Sequence, residues 1–134
     1  LQTDFAERAA ATPGTRACSA LSARVALLTH ATLAFGVPRS AFHPAPKVES
    51  AVLVLERRPE PAVDVGDPKV YRQVVRTLFA QRRKMARKAL KPVCADPVAV
   101  LAAAGVPETA RGEALSLAQL AALTRALVAW RAAQ

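Results

Sequence analysis

Apolar and polar residues follow two rhythms along this chain, and the change between them divides it. Residues 1–11 place Phe5, Ala6 and Ala9 on one side at helical spacing, and the turn residues of "TPGT" at 12–15 end that helix. From about Ser19 to His30, the run "SALSARVALLTH" sets Leu21, Val25 and Leu28 on one helical face. The period then shortens. "ATLAFGV" (31–37) and "AVLVLERR" (51–58) are β-like runs separated by a proline-rich loop at 38–50. "PEPAVDVGDP" (59–68) gathers three prolines and a glycine and marks a linker. Helical spacing resumes beyond it: a helix over 68–91, one over about 96–104 that Gly105 ends, and a last one near 116–131 with Ser116 as N-cap. The pattern predicts an α/β piece over 1–58, a linker at 59–68 and a helical bundle over 69–134.

The first helix after the linker has an internal order. At about 100° per residue, Tyr71, Val74, Val75, Leu78, Phe79, Met85 and Ala89 share one arc. Arg72, Arg76, Arg83, Arg87 and Lys91 gather on the opposite side, so an unbroken helix carries an arginine stripe on its back. Arg82 does not fit, because it points into the apolar arc. Either the helix breaks near Gln81, or Arg82 is held by an acid or by an interface between the two lobes. Trp130, near the end of the last helix, reads as core.

Charge sharpens this picture. The net charge is +9, and residues 69–91 hold nine Lys/Arg (Lys69, Arg72, Arg76, Arg82, Arg83, Lys84, Arg87, Lys88, Lys91) with no acid. The rest of the chain is balanced. Nine like charges oppose folding by self-repulsion unless a polyanion accepts them, and cations that neutralise phosphates release condensed counterions. The segment therefore reads as a nucleic-acid face that touches phosphates rather than bases; the plainer alternative is a solvated helix surface.

Composition removes several classes. With 134 residues and 52% hydrophobic content, the chain has material for a core. No run of 18 apolar residues occurs, and Asp4, Glu7 and Arg8 rule out a secretory apolar region at the start, so a soluble, cytoplasmic protein is expected. Cys18 and Cys94 stand alone, without metal-ligand spacing, and read as packed or idle thiols. His30 and His43 lack ligand-like partners, so neither a metal nor a catalytic histidine is expected. The opening at Leu1, inside what reads as a structural element, suggests a fragment.

The loop "AFHPAPKVES" (41–50) carries the most specific candidate chemistry. Pro44 and Pro46 fix φ and lower the loop's entropy, which suits a segment that holds a side chain in place. Phe42 at its entrance offers a stacking face for a base, and Lys47 has the reach of a phosphate contact. On residue types alone, Phe42 reads first as a filler between loop and sheet, and Lys47 as a solvated charge.

Together these motifs resemble the carboxyl-terminal half of the ribosomal RNA adenine N6,N6-dimethyltransferases of the KsgA type, with the erythromycin-resistance methylases as relatives. The pattern F-x-P-x-P-K-V-x-S is matched by Phe42, Pro44, Pro46, Lys47, Val48 and Ser50, and V-P-x-x-A-F by Val37, Pro38, Ala41 and Phe42. Leu1, Gln2, Ala6 and Arg8 match L-Q-x-E-x-A-x-R, with Asp4 in the Glu position. Phe79, Gln81, Arg82, Arg83 and Lys84 match A-F-x-Q-R-R-K, and Arg111, Glu113, Leu115 and Ser116 match R-A-E-x-L-S. The resemblance implies the last part of a Rossmann-like methyltransferase fold followed by a helical rRNA-docking lobe. It further implies methyl transfer from S-adenosylmethionine to adenine N6 of small-subunit ribosomal RNA during ribosome biogenesis, by a monomer. Phe42 would be one face of a clamp on the extruded adenine, and Lys47, Arg72, Arg76, Arg82, Arg83, Lys84, Arg87, Lys88 and Lys91 would bind RNA.

Some family features are absent from this sequence. It has no G-x-G and no N-x-P-[YF], so S-adenosylmethionine is expected to bind an N-terminal part outside it, and this chain alone is expected to be inactive. Cys18, Ser19, Ala20, Leu21 and Ser22 stand where the family commonly has Tyr-Gly-x-Leu-Ser, and Lys88 where it has Asn. Two other readings remain: a noncatalytic RNA-binding assembly protein, and a large-subunit resistance methylase.

Overall fold

A computed structural model describes residues 1–134. Helix α1 (Thr3–Ala10) leads through a turn to α2 (Ala20–Leu28), then to strands β1 (Thr29–Val37) and β2 (Ser50–Arg57). Helices α3 (Pro68–Ala80), α4 (Ala86–Ala89), α5 (Pro97–Ala104) and α6 (Leu117–Ala132) follow, with single 3-10 turns at Arg39–Ala41 and Gly112–Ala114. The helix ends follow local chemistry. Ser19 caps α2 and Ser116 caps α6, each in a reciprocal capping box, while Asp67 and Asp96 cap α3 and α5 ahead of a first-turn proline. Gly105 ends α5 in the left-handed conformation at φ +69°, which glycine adopts without a Cβ penalty.

The two strands pair antiparallel from Thr29↔Arg57 to Val37↔Ser50, with an irregularity between Leu33 and Phe35. The first residues run beside the start of β2: the Thr3 amide donates to the Glu49 carbonyl at 3.1 Å and the Ala51 amide to the Leu1 carbonyl at 2.8 Å. That pairing brings the start of α1 to the base of the proline loop.

One apolar cluster of 20 residues runs through the helices. Most of it comes from α3 to α6 and their connections, and Cys18, Ala23, Leu27 and Val65 join it from earlier in the chain. Each such residue removes apolar surface from water, worth about 25 cal/mol per Å². Cys18 and Cys94 are free, buried thiols, and burial pushes the Cys18 thiol above its ordinary pKa.

The structure corrects three expectations. First, the helix expected over 68–91 ends at Ala80: Gln81 leaves helical geometry at φ −121°, ψ 54°, and residues 81–85 form a turn before α4. An unbroken helix would drive the Arg82 charge into the apolar arc, at a cost that the break avoids. The stripe of Arg72, Arg76, Arg83, Arg87 and Lys91 is therefore not the back of one helix. Second, Met85 leaves the core arc; it is 37% exposed and forms a single antiparallel bridge with Arg111. Third, the inward face of α2 is Ser22, Ala23 and Leu27, whereas Leu28 is 53% exposed. Small residues face inward here because the helices approach closely: the Ser22 hydroxyl donates to the Arg8 carbonyl of α1, and the Tyr71 hydroxyl of α3 donates to the Ala23 carbonyl at 2.7 Å. Ala6 and Ala9 of α1 are buried as expected, while Phe5 lies exposed with the Arg8 guanidinium 5.8 Å from its ring centre. Trp130 packs half-buried against the edge of the core.

Candidate nucleic-acid interface

The proline loop rises from the open end of the hairpin. It is closed across its base by the Glu49 carboxylate, which accepts from the Arg39 amide at 2.8 Å. On its entry side, the Ala41 amide donates to the Pro38 carbonyl at 3.0 Å and the Phe42 amide to the Arg39 carbonyl at 3.3 Å. These bonds and the two prolines fix the backbone on both sides of Phe42. The Phe42 ring is exposed rather than enclosed. It is 46% exposed and, with Pro44, Pro46 and Ser50, lines an open recess of about 270 Å³. A planar apolar face held at the mouth of a recess is the surface on which an unstacked base packs. Lys47 is exposed and makes no ion pair.

The basic segment divides into two kinds of cation. Arg82 and Arg87 are paired: Arg82 Nε lies 2.8 Å from Glu113 Oε2, and Arg87 Nη1 lies 3.3 Å from Glu108 Oε1. Arg72 and Arg76, one turn apart on α3, are exposed and without an acid partner, as are Arg83 and Lys84 in the turn and Lys88 and Lys91 around α4. Two of the chain's own carboxylates thus neutralise two of the cations, and the rest face solvent. Unpaired guanidinium and ammonium groups in the absence of nearby acid attract phosphate and release its counterions on contact.

The sequence profile described as "Ribosomal RNA adenine dimethylase" matches residues 1–127. This chain belongs to the ribosomal RNA adenine dimethylase family. It is 44% identical over 122 residues to "Ribosomal RNA small subunit methyltransferase A" of Magnetococcus marinus, covering 91% of this chain and 44% of that protein. It is 40% identical over 134 residues to the protein of the same name from Cutibacterium acnes, covering 95% of this chain and 45% of the relative. The chain thus spans less than half the length of these curated relatives. Among solved structures, the 23S rRNA methyltransferase ErmE aligns over 95% of this chain and 52% of its own, at TM-score 0.61 and 25% identity. A dimethyladenosine transferase from Plasmodium falciparum aligns over 91% of this chain and 53% of its own at TM-score 0.73; at 24% identity it speaks for the fold.

The family implies S-adenosylmethionine as the methyl donor, whose cradle would draw on the glycine turns of this chain. They do not fit. Gly66 (φ +76°) is the glycine that stands between a strand and the start of a helix, here α3. Its amide is already taken by Asp64 Oδ1 at 2.9 Å, and the space a Cβ would enter lies against the Arg125 side chain at 3.4 Å. No donor pocket is assigned to these residues. A separate cavity of about 510 Å³ lies between the end of α1, the start of β1 and the start of α6, and none of the expected site residues lines it.

Glu113 and Glu108 bear directly on this basic face, and charge counting by segment passes over both. They lie 31 and 21 residues from their arginines and outside the acid-free stretch. The misfit of Arg82 on the helical wheel was the available signal for one of them. Nothing comparable marked Arg87, which sits on the polar side of that wheel.

Proposed function

We propose that this chain is the adenine-clamping and RNA-docking portion of an S-adenosylmethionine-dependent rRNA adenine N6,N6-dimethyltransferase that acts on small-subunit ribosomal RNA. The single observation that carries the reading is Phe42. Its ring stands exposed on a braced loop, at a recess, and within the F-x-P-x-P-K-V-x-S pattern of the family. An adenine taken out of its stack loses base–base contacts, and a preset aromatic face returns part of them, about 1–3 kcal/mol per base.

In this reading, residues 1–58 close the methyltransferase α/β domain, 59–68 link it onward, and 69–134 form the docking lobe. The exposed apolar side chains of the hairpin, Leu33, Phe35, Val54 and Leu55 among them, suit strands that belong to a larger sheet. Phosphate contacts come from Lys47, Arg72, Arg76, Arg83, Lys84, Lys88 and Lys91, with Arg87 shared with Glu108. The methyl donor binds outside these residues, and the protein works as a cytoplasmic monomer on a helix-loop of the pre-ribosomal subunit. Identities of 40–44% to small-subunit enzymes favour that target over the large subunit, where the structural neighbour ErmE acts. A noncatalytic RNA-binding protein is the second reading, which the cations without acid partners support as well.

The test separates chemistry from docking. In a complete enzyme carrying these residues, Phe42→Ala is expected to lower single-turnover methylation by at least about tenfold, the equivalent of ~1.4 kcal/mol of lost stacking. RNA affinity should stay within about twofold. Equal loss of both would make Phe42 a packing residue, and no loss of either would remove it from the site.

A further inference from the structure

Arg82 is the one cation of the basic segment that touches two other parts of the chain. Its Nε donates to Glu113 Oε2 at 2.8 Å, and its Nη2 donates to the backbone carbonyl of Arg16 at 2.5 Å. The first contact reaches the 3-10 turn before α6; the second reaches the loop between α1 and α2. Those segments meet closely around it. A Cβ on Gly112 would lie 3.0 Å from Leu78 Cβ of α3, and one on Gly14 (φ +91°) would lie 3.5 Å from Ser116 Cα. The buried Cys18 sits beside this knot, close enough for the charges of Arg82 and Glu113 to bear on its thiol. The next two residues, Arg83 and Lys84, are exposed and have no acid partner.

We propose that Arg82 is a strut rather than a phosphate contact: it ties the turn 81–85 to the loop 11–19 through Glu113 and the Arg16 carbonyl, and so sets where Arg83 and Lys84 present their charges. This deepens the docking assignment made above and rests on it. The guanidinium suits the task, because its fork serves a carboxylate and a carbonyl at once while an ammonium is a single point of charge. Pairing with Glu113 also removes the net charge that a phosphate contact needs. Arg82 is therefore a positioning residue, and the working cations are its neighbours.

The experiment uses the full 134-residue chain with a labelled RNA hairpin whose loop contains adenines, and reads affinity, salt slope and amide exchange. Glu113→Gln and Arg82→Lys should each weaken RNA binding about two- to fivefold, the span that an exposed ion pair supports. The slope of log affinity against log salt should not change, and the two substitutions together should cost no more than either alone. Both should speed amide exchange on the two sides of the strut, at Lys84, bonded to the Gln81 carbonyl, and at Cys18, bonded to the Thr15 carbonyl. The proposal is overturned if Glu113→Gln tightens RNA binding, as release of a competing carboxylate from a phosphate-binding arginine would. It is equally overturned if Arg82→Lys keeps full affinity, or if exchange at Cys18 is unmoved. A control arm, Arg83→Gln, should lower the salt slope by about 0.7–0.9, one phosphate contact. Failure of that arm alone defeats the docking assignment and with it the strut's role in RNA binding, while the exchange at Lys84 and Cys18 still reports the tie between the turn and the loop.

Discussion

The helical body and the hairpin of this chain are built from similarly apolar sequence, yet they treat it in opposite ways. In α3, α5 and α6 most large side chains turn inward: Val74, Val75, Leu78, Leu101, Leu120, Leu123 and Leu127 are all buried. Along β1 and β2 only Ala51 is buried, and Leu33, Phe35, Val54 and Leu55 face solvent. A two-stranded ribbon has marginal stability by itself in water. The difference teaches that the helices share one closed core, to which Cys18, Ala23 and Leu27 also contribute, whereas the hairpin holds its loop in place on a surface that still has apolar area to cover. The braced loop and the cationic turn therefore stand on foundations of unequal strength.

Substitutions can sharpen or break that contrast. The largest effect is expected at Leu120, which is 0% exposed: Leu120→Ala should cost about 2–5 kcal/mol in urea unfolding, as transfer and cavity terms add. A smaller effect is expected at the contact between α2 and α3. Tyr71→Phe deletes the hydroxyl that donates to the Ala23 carbonyl and should cost about 1 kcal/mol near neutral pH. It should also change the alkaline limb. Burial raises the Tyr71 pKa in the folded state, so the folded chain keeps a proton that the unfolded chain releases. The associated stability is complete below the ordinary tyrosine value of about 10 and declines as pH rises above it. Cys18, raised in the same direction, adds to that decline from the ordinary cysteine range upward. Tyr71→Phe should flatten the tyrosine part of the limb, and an unchanged limb would mean that the buried hydroxyl does not govern it. The smallest effect is expected at Leu55, 49% exposed on β2: Leu55→Ala should stay within about 0.5 kcal/mol in this chain. A loss as large as that at Leu120 would erase the contrast between the two halves.

Much of the fold was legible because period and punctuation agreed. Ser116, Gly105 and Pro68 mark real helix ends, and the two β-like runs are the two strands. What escaped the pattern depended on distant partners. Periodicity alone put Leu21, Val25 and Leu28 inside, but the inward face of α2 is set by α1 and α3, which press on Ser22 and Ala23. The stripe over 68–91 assumed an unbroken helix, and the misfit of Arg82 already marked where it would break. The site was partly legible in the same sense. The proline spacing singled out Phe42, but whether its ring faced the core or a recess depended on the closure of the loop by Glu49 and Arg39. Charge counting found the basic segment and missed that Glu108 and Glu113 occupy two of its cations.

The central proposal is that cations without acid partners in the helical half hold RNA by its phosphates. It is tested most directly by the salt dependence of RNA binding to this chain between about 50 and 200 mM, for wild type and for Arg83→Gln with Lys84→Gln. The account predicts a steep fall in affinity with salt for the wild type, and a slope shallower by about 1.4–1.8 for the double variant. A wild-type affinity that hardly changes with salt, or a slope that the two substitutions leave intact, would contradict it.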